Sequence, residues 1–303
     1  MSEHGTNGDR GYYGRPVLKA PVWKPQIPFY FFTGGLGGAS AVLALAARAT
    51  GRSRLARASS LVGLAADVVS PLLLITDLGR PERFHHMLRM LRVTSPMSVG
   101  SWVLAGEGAA SGAAVALDLT GRLPRVRTAA EVASAVLGPP LATYTAVLVA
   151  NTAVPVWHEA RRELPFVFAA SSAASAGAAA LPFVPPEEAG PARRAIVAGV
   201  VGELVATEAM KRRLGELAGP YRSGRAARLD RAASALSVGG AVVTTALGRR
   251  SRVAASAGGA LVLGGAMLRR WSVFVAGRES ALDPAATIGP QRARLEGREA
   301  TRA

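Results

Sequence analysis

The segment from Asp77 to Ser98 holds the densest group of chemically active side chains in this 303-residue chain. It reads DLGRPERFHHMLRMLRVTSPMS and brings together the Asp77 carboxylate, the Arg80 guanidinium and the imidazoles of His85 and His86. Imidazole exchanges protons near neutral pH more readily than any other side chain. The segment therefore predicts a proton-exchanging site, and the alternative is an amphipathic interfacial helix whose arginines face lipid headgroups.

Two further groups offer hydrogen bonds beside apolar walls. Gln26 and Tyr30 are four residues apart, so they share one helix face if a helix begins there. Tyr144 lies one turn beyond Gly138-Pro139-Pro140, a break that frees backbone carbonyls. A quinone headgroup needs such donors next to an apolar slot. The alternatives are interfacial anchoring by Tyr30 and a local hydrogen bond from Tyr144.

Four carboxylates lie within apolar stretches. A charge at membrane depth costs several kcal/mol unless it is paired, so such residues are functional candidates. Asp67 and Glu107 predict a proton path, and the alternative is a structural hydrogen bond to a neighbouring serine or carbonyl. Glu203 and Glu208 belong to a weaker apolar stretch, and we expect them near the membrane interface.

The elements that position these residues are long apolar runs. The first, Ile27–Ala47, has no charge and is long enough for a bilayer, which needs about 20 residues. The sequence predicts an all-α, polytopic membrane protein with about eight spans. Five are clear, namely Ile27–Ala47, Ala58–Ile75, Met97–Leu117, Val132–Val154 and Leu164–Val184, and three are shorter, namely Ala195–Met210, Ala232–Leu247 and Val253–Leu268.

The net charge of +16 comes from basic residues in the gaps between these runs. This distribution indicates contact with anionic membrane lipid and excludes nucleic acid as the expected partner. With eight spans, the loops that share a side with both termini hold most of the Lys and Arg. The positive-inside rule then places both termini in the cytoplasm, with the protein in the cell membrane.

Composition also limits the cofactors that the chain can hold. It has no cysteine, which excludes a cysteine-ligated iron–sulfur cluster, and none of its four histidines lies inside an apolar run, which makes haem improbable. Adjacent residues on a helix point in different directions, so His85 and His86 make a weak metal pair. We therefore expect no haem, no iron–sulfur cluster and no metal site in this chain.

A short internal repeat predicts how the spans are grouped. Pro21-Val22-Trp23 precedes the first span, and Pro155-Val156-Trp157 precedes the fifth. Two tandem four-helix bundles would explain this, although interfacial Pro and Trp could also match by chance. The expected organisation is a leader (1–26, whose lack of an apolar core makes the first span an uncleaved anchor), a first bundle (27–154), a second bundle (155–277) and a polar tail (278–303).

Several motifs together resemble one family. They are PVWKPQIPFYFFTGG, DLGRPERFHHMLR, SPMSVGSW, GPPLATYTAVLVANTAVPVWHEARRELPFVF and WSVFVAGRESALDP, which cover about residues 12–292. The chain resembles the NrfD/PsrC family of polysulfide-reductase-type integral membrane subunits. DLGRP followed by SPMS is the more specific part of the match.

The resemblance implies an eight-span fold of two four-helix bundles and a membrane subunit that carries no metal. It implies non-covalent menaquinone or ubiquinone, which exchanges electrons with a partner iron–sulfur subunit linked to a molybdopterin or cytochrome catalytic subunit. The family's quinone site lies in the first bundle. By position, the candidate quinone-binding residues here are Gln26, Tyr30, Asp77, Arg80, His85 and Tyr144.

Two other functions remain open from the sequence. The chain could be a secondary transporter or proton channel that uses Asp67 and Glu107 at the membrane midplane. It could also be a passive anchor whose partner holds the quinone.

Overall fold

Apolar runs of this length fold as helices because only a helix satisfies its own backbone hydrogen bonds in lipid. The computed structural model describes residues 18–19 and 21–288, and this part of the chain is helical with no β-strand. The all-α prediction is confirmed. The predicted leader 1–26 and tail 278–303 lie largely outside the described residues.

Eight long helices overlap the eight predicted apolar runs in the described part of the chain. They are α1 (Gln26–Ala49), α2 (Ser53–Asp77), α3 (Pro96–Thr120), α4 (Pro124–Ala150), α6 (Leu164–Ala180), α7 (Gly190–Leu214), α9 (Gly224–Ala246) and α10 (Arg252–Leu282). Short helices α5 (Pro155–Glu159) and α8 (Gly219–Arg222) and four 3-10 helices (Pro81–Leu88, Ala160–Arg162, Leu181–Phe183, Gly215–Ala218) connect them.

Five of these helices are long and apolar enough to cross a membrane: α1, α2, α4, α6 with its following 3-10 turn, and α10. The protein is therefore a multi-pass membrane protein. Helices α3, α7 and α9 are of similar length but are richer in small or charged residues. The predicted eighth span ended at Leu268, whereas α10 continues to Leu282, so Arg269 and Arg270 lie in the middle of the helix.

The chain runs up and down between two ends of the molecule. Helices α1 and α3 begin, and α2 and α4 end, at the side that holds α5; we call this side the Trp157 end. The other side, where α1 and α3 end, is the Arg48 end. In the first half α1 packs on α2 and α4, and α3 on α4; in the second, α6 packs on α7, and α9 on α10.

Close helix contacts rely on residues without side chains. A Cβ atom at Gly38 of α1 would overlap the carbonyl group of Gly138 in α4, and a Cβ at Gly138 would overlap Gly38 in return. Such backbone approach is how helices pack in lipid, where van der Waals contact takes the place of the hydrophobic effect. Most of the first half is therefore closely packed, and any larger cavity requires a local interruption.

The two copies of the internal repeat meet where α1 contacts α6. Trp23 stacks on Trp157 with ring centroids 5.4 Å apart and an interplanar angle of 19°. Phe31 and Phe168, the matching aromatic residues of the two spans, lie 5.9 Å apart. Arg270 donates hydrogen bonds to the backbone carbonyls of both phenylalanines, at 3.4 and 3.1 Å. Matching residues of the two halves therefore face each other across this contact.

The topology can be tested by cysteine labelling, since the chain has no native cysteine. Thr94→Cys lies at the Trp157 end and Arg122→Cys at the Arg48 end. If the termini are cytoplasmic, a membrane-impermeant maleimide will label Thr94→Cys only in inside-out vesicles and Arg122→Cys only in right-side-out vesicles. Val136→Cys, exposed in the middle of α4, should resist labelling in both. Labelling of both loop positions from one side would contradict the fold.

Candidate functional site

The main cavity near the candidate residues lies between α2, α3 and the 3-10 helix Pro81–Leu88. Its volume is about 470 Å³, and its walls are almost entirely apolar. Asp67 and Ser101 supply the polar groups, and we call the cavity the Asp67 pocket. Its apolar walls are formed by Leu64, Val68, Pro71, Leu72, Leu74 and Ile75 of α2, Leu104, Ala105 and Gly108 of α3, and Phe84, Met87 and Leu88 of the 3-10 helix.

Pro71 removes one backbone hydrogen bond from α2 beside this pocket. Proline has no backbone N–H, so the carbonyl four residues earlier, that of Asp67, lacks its helical donor. The hydroxyl oxygen of Ser70 lies 2.8 Å from the Ala66 carbonyl oxygen and 2.8 Å from Thr33 Oγ1, within hydrogen-bond distance of both. The missing backbone hydrogen bond therefore lies at the residue that carries the buried carboxyl.

Asp67 and Glu107 form a buried carboxyl pair. Asp67 packs against Gly108 of α3 and lies beside the Glu107 and Ser111 side chains. Glu107 accepts a hydrogen bond from Ser134 Oγ at 2.8 Å. The other three carboxyl oxygens have no hydrogen-bond donor among the residues that the structure describes. Two adjacent carboxyls without a cation are costly if both are charged, so the geometry favours proton sharing.

Polar side chains continue from this pair to the Arg48 end. Ser111, Ser134 and Glu131 line a cavity of about 10 Å³, which is room for about one water molecule. Glu131 is buried and forms an ion pair with Arg48, with the nearest nitrogen and oxygen atoms 2.7 Å apart. Beyond it, Asp118 pairs with three arginines, namely Arg48 at 3.3 Å, Arg57 at 2.9 Å and Arg127 at 2.9 Å.

Tyr30 and Tyr144, both candidates from the sequence, lie together behind the pocket wall. Their ring centroids are 6.4 Å apart. The ring of Tyr144 lies directly against Gly100, where a Cβ atom would overlap it. The next residue, Ser101, lines the Asp67 pocket. The tyrosine pair therefore supports the pocket from the side of α1 and α4.

The other candidates lie at the Trp157 end. Asp77 accepts a hydrogen bond from the backbone N–H of Lys24 at 3.3 Å, which joins the end of α2 to the start of α1. Arg80 is exposed, and His85 is exposed on the same 3-10 helix that covers the pocket. Gln26 is partly buried at the start of α1. Among the described residues, the pocket walls include Asp67 but none of the six candidate quinone residues.

Sequence reasoning missed two features of the interior. The apolar residues that cover the pocket lie among charged neighbours, and only the spacing of Phe84, Met87 and Leu88 could have indicated a common face. Glu203 was expected near the interface, and this is wrong: it is 1% exposed and accepts from Arg269 at 2.7 Å. Asp230 in turn binds both Arg269 and Lys211.

The family model NrfD_2, described as polysulfide reductase, matches residues 10–283. No curated protein matches the chain. The family match covers the carboxyl pair, the pocket and both halves of the molecule, and it confirms the resemblance drawn from the motifs.

Gly100→Ala tests the contact between α3 and Tyr144. The added Cβ would force the tyrosine ring to move, and overpacking of this kind costs about 1–3 kcal/mol. We expect a lower midpoint of thermal unfolding for the detergent-purified chain. Gly112→Ala on the same helix is the control, because its Cβ would make an ordinary contact of 3.8 Å with Leu64. Equal midpoints for the two variants would show that this packing is wrong.

Proposed function

Because the chain belongs to the polysulfide reductase family NrfD_2, we propose that it is the quinone-reactive membrane subunit of a multi-subunit oxidoreductase. In this proposal, electrons pass between menaquinone or ubiquinone and a partner iron–sulfur subunit, which connects to a molybdopterin or cytochrome catalytic subunit. The protein would lie in the cell membrane with both termini in the cytoplasm. Its two halves would be tandem four-helix bundles, with the quinone in the first.

The observation that carries the proposal is the Asp67 pocket. Its volume of about 470 Å³ falls in the usual range for small-molecule sites, and its walls suit a flat apolar ring. Asp67 and Ser101, whose hydroxyl donates to the Met97 carbonyl at 2.9 Å, are the polar groups that would meet the two carbonyl oxygens of a quinone. Both carboxyl oxygens of Asp67 are buried without a hydrogen-bond partner among the described residues, and Oδ1 lies against Gly37 of α1, so the carboxyl would turn towards the pocket when it binds the ring.

The pocket also gives access from the bilayer. Val68 and Leu72 belong to its wall and are 55% and 57% exposed on the outer side of α2. On a membrane-spanning helix, such apolar residues face lipid tails. A ligand with a long isoprenoid chain could thus place its ring against Asp67 and leave its tail in the membrane.

The chain's own residues would bind the ring and handle its protons. A bound quinone supplies two-electron, two-proton redox chemistry. Phe84, Met87 and Leu88 would cover the ring and exclude water, and the Asp67 carboxyl would hold the transferred proton. Tyr30 and Tyr144 would fix the wall behind it. Gln26, Asp77, Arg80 and His85 would form the adjoining rim at the Trp157 end, where electrons could reach a partner.

The carboxyl pair would connect the pocket to water at the Arg48 end. A proton could pass from Asp67 to Glu107, then through Ser134 and the small cavity to Glu131. Glu131 contacts the cluster around Asp118 through Arg48, and Arg57 of that cluster is exposed at the Arg48 end. Protons and electrons would therefore use opposite ends of the first half, which separates the two charges across the membrane.

The same carboxyl pair favours one alternative, a secondary transporter or proton channel. Proton or solute flux by the chain alone in liposomes would support that function. A passive anchor, the third possibility, would give unchanged quinol kinetics after substitution throughout the first half.

Asp67→Asn is the direct test of the carboxyl's role. The amide keeps the shape but cannot exchange protons, so we expect quinol-dependent turnover of the isolated complex to fall about 100-fold. Activity of the complex with soluble redox dyes should persist, since those dyes bypass the membrane subunit. Glu208→Gln, an exposed carboxylate on α7, is the control and should behave as wild type. Normal quinol turnover in Asp67→Asn would contradict the assignment.

Ala105→Trp tests the position of the quinone. The indole would fill the Asp67 pocket from α3, so quinone extracted from the purified protein should fall to a small fraction of the wild-type amount. Ala116→Trp, exposed on the same helix, should leave the quinone content unchanged. The measurement is quinone per chain after solvent extraction. If Ala105→Trp kept the full quinone content, the quinone would have to bind outside the Asp67 pocket.

A further inference from the structure

A second groove lies on the outer side of α2 near the Arg48 end, away from the Asp67 pocket. Its volume is about 380 Å³. Leu61, Val62 and Ala65 form its floor, Phe183 of the 3-10 helix Leu181–Phe183 forms one wall, and Arg54 and Arg57 belong to its rim. We call it the arginine groove. It joins the two halves of the molecule, because α2 belongs to the first and Phe183 to the second.

The residues of α2 in the groove form one stripe along the helix. Arg54, Arg57, Leu61 and Ala65 are spaced by three or four residues, which places them on one face. Arg54 lies at the start of α2, at the level where a span meets the headgroups, and Ala65 lies about 16 Å further along the helix. The groove is therefore cationic at the headgroup level and apolar towards the membrane centre.

The two guanidinium groups are only partly neutralised. Arg57 shares Asp118 with two other arginines. Arg54 approaches Glu188 at only 3.9 Å, while the shorter contact of that carboxylate, at 3.0 Å, is with the Arg54 backbone N–H. The side chains of Arg54 and Arg57 remain 69% and 58% exposed. Their donors can thus serve an anion without breaking the existing contacts.

We propose that the arginine groove binds one anionic phospholipid. The phosphate would lie against Arg54 and Arg57, and one acyl chain would lie along Leu61 and Ala65 beside Phe183. Basic residues at the end of a membrane helix attract anionic headgroups, and long cationic side chains extend readily to that level. A lipid in this position would contact both halves of the molecule and stabilise their association.

The chemistry of the groove selects this occupant over others. Phe183 is 63% exposed and is the last residue of an apolar segment that can cross a membrane, so we expect it to contact lipid. A soluble anion would use the arginines but leave the apolar floor without a partner. A zwitterionic lipid would cover the floor but gain less from the two positive charges.

Thermal unfolding of the full chain in detergent, with added lipid of one acyl composition, tests the proposal. Phosphatidylglycerol should raise the midpoint by several degrees and bind about tenfold more tightly than phosphatidylcholine. Arg54→Gln with Arg57→Gln should abolish this difference. Arg249→Gln with Arg250→Gln, which removes two exposed charges at the same end, should preserve it.

Two further measurements keep the test decisive if the arginine double variant is unstable. Phe183→Ala removes an exposed side chain, and it should weaken phosphatidylglycerol binding several-fold while the lipid-free midpoint stays unchanged. Inorganic phosphate at the same concentration should have no effect. Equal binding of the two lipids by the wild type, full selectivity in the arginine double variant, or stabilisation by inorganic phosphate would each overturn the proposal. None of these three results depends on quinone binding.

Discussion

The free-energy cost of burying a charged side chain away from water determines which polar residues the interior of this protein can hold. In the second half the cost is offset by pairing, because Arg269 binds both Glu203 and Asp230 in the interior. In the first half Asp67 and Glu107 face each other with no cation between them in the described structure. Buried carboxyls are thus treated in two ways, because Glu131 of the first half is also paired with an arginine, whereas Asp67 and Glu107 are not. The paired carboxyls hold helices together, and the pair without a cation is suited to gain and lose protons.

Close packing of small residues explains why the pocket lies where it does. Where Gly38 meets Gly138, two helix backbones touch and leave no space. At Pro71 the hydrogen-bond ladder of α2 is interrupted, and the neighbouring 3-10 helix contributes bulky side chains in place of a third close helix. The cavity therefore lies where one proline and one irregular connection meet beside closely packed helices.

The helices could be predicted because an uncharged run of about 20 residues is visible in the sequence itself. The end of α10 could not be predicted, because Arg269 and Arg270 look like residues that end a membrane span. Only their partners from distant helices show that they lie inside the helix. Asp67 and Glu107 could be recognised because they are charged residues within apolar runs. The residues that form the pocket walls could not be recognised, because contact between the segment Pro81–Leu88 and α3 depends on how the helices pack.

Arg270 is buried where three long helices meet. From α10 it donates to the carbonyls of Phe31 in α1 and Phe168 in α6. One guanidinium group thus holds both helices, so any sliding of α1 along α6 would stretch or break at least one of these hydrogen bonds. The seam between the two helices is therefore fixed from a third helix that belongs to neither.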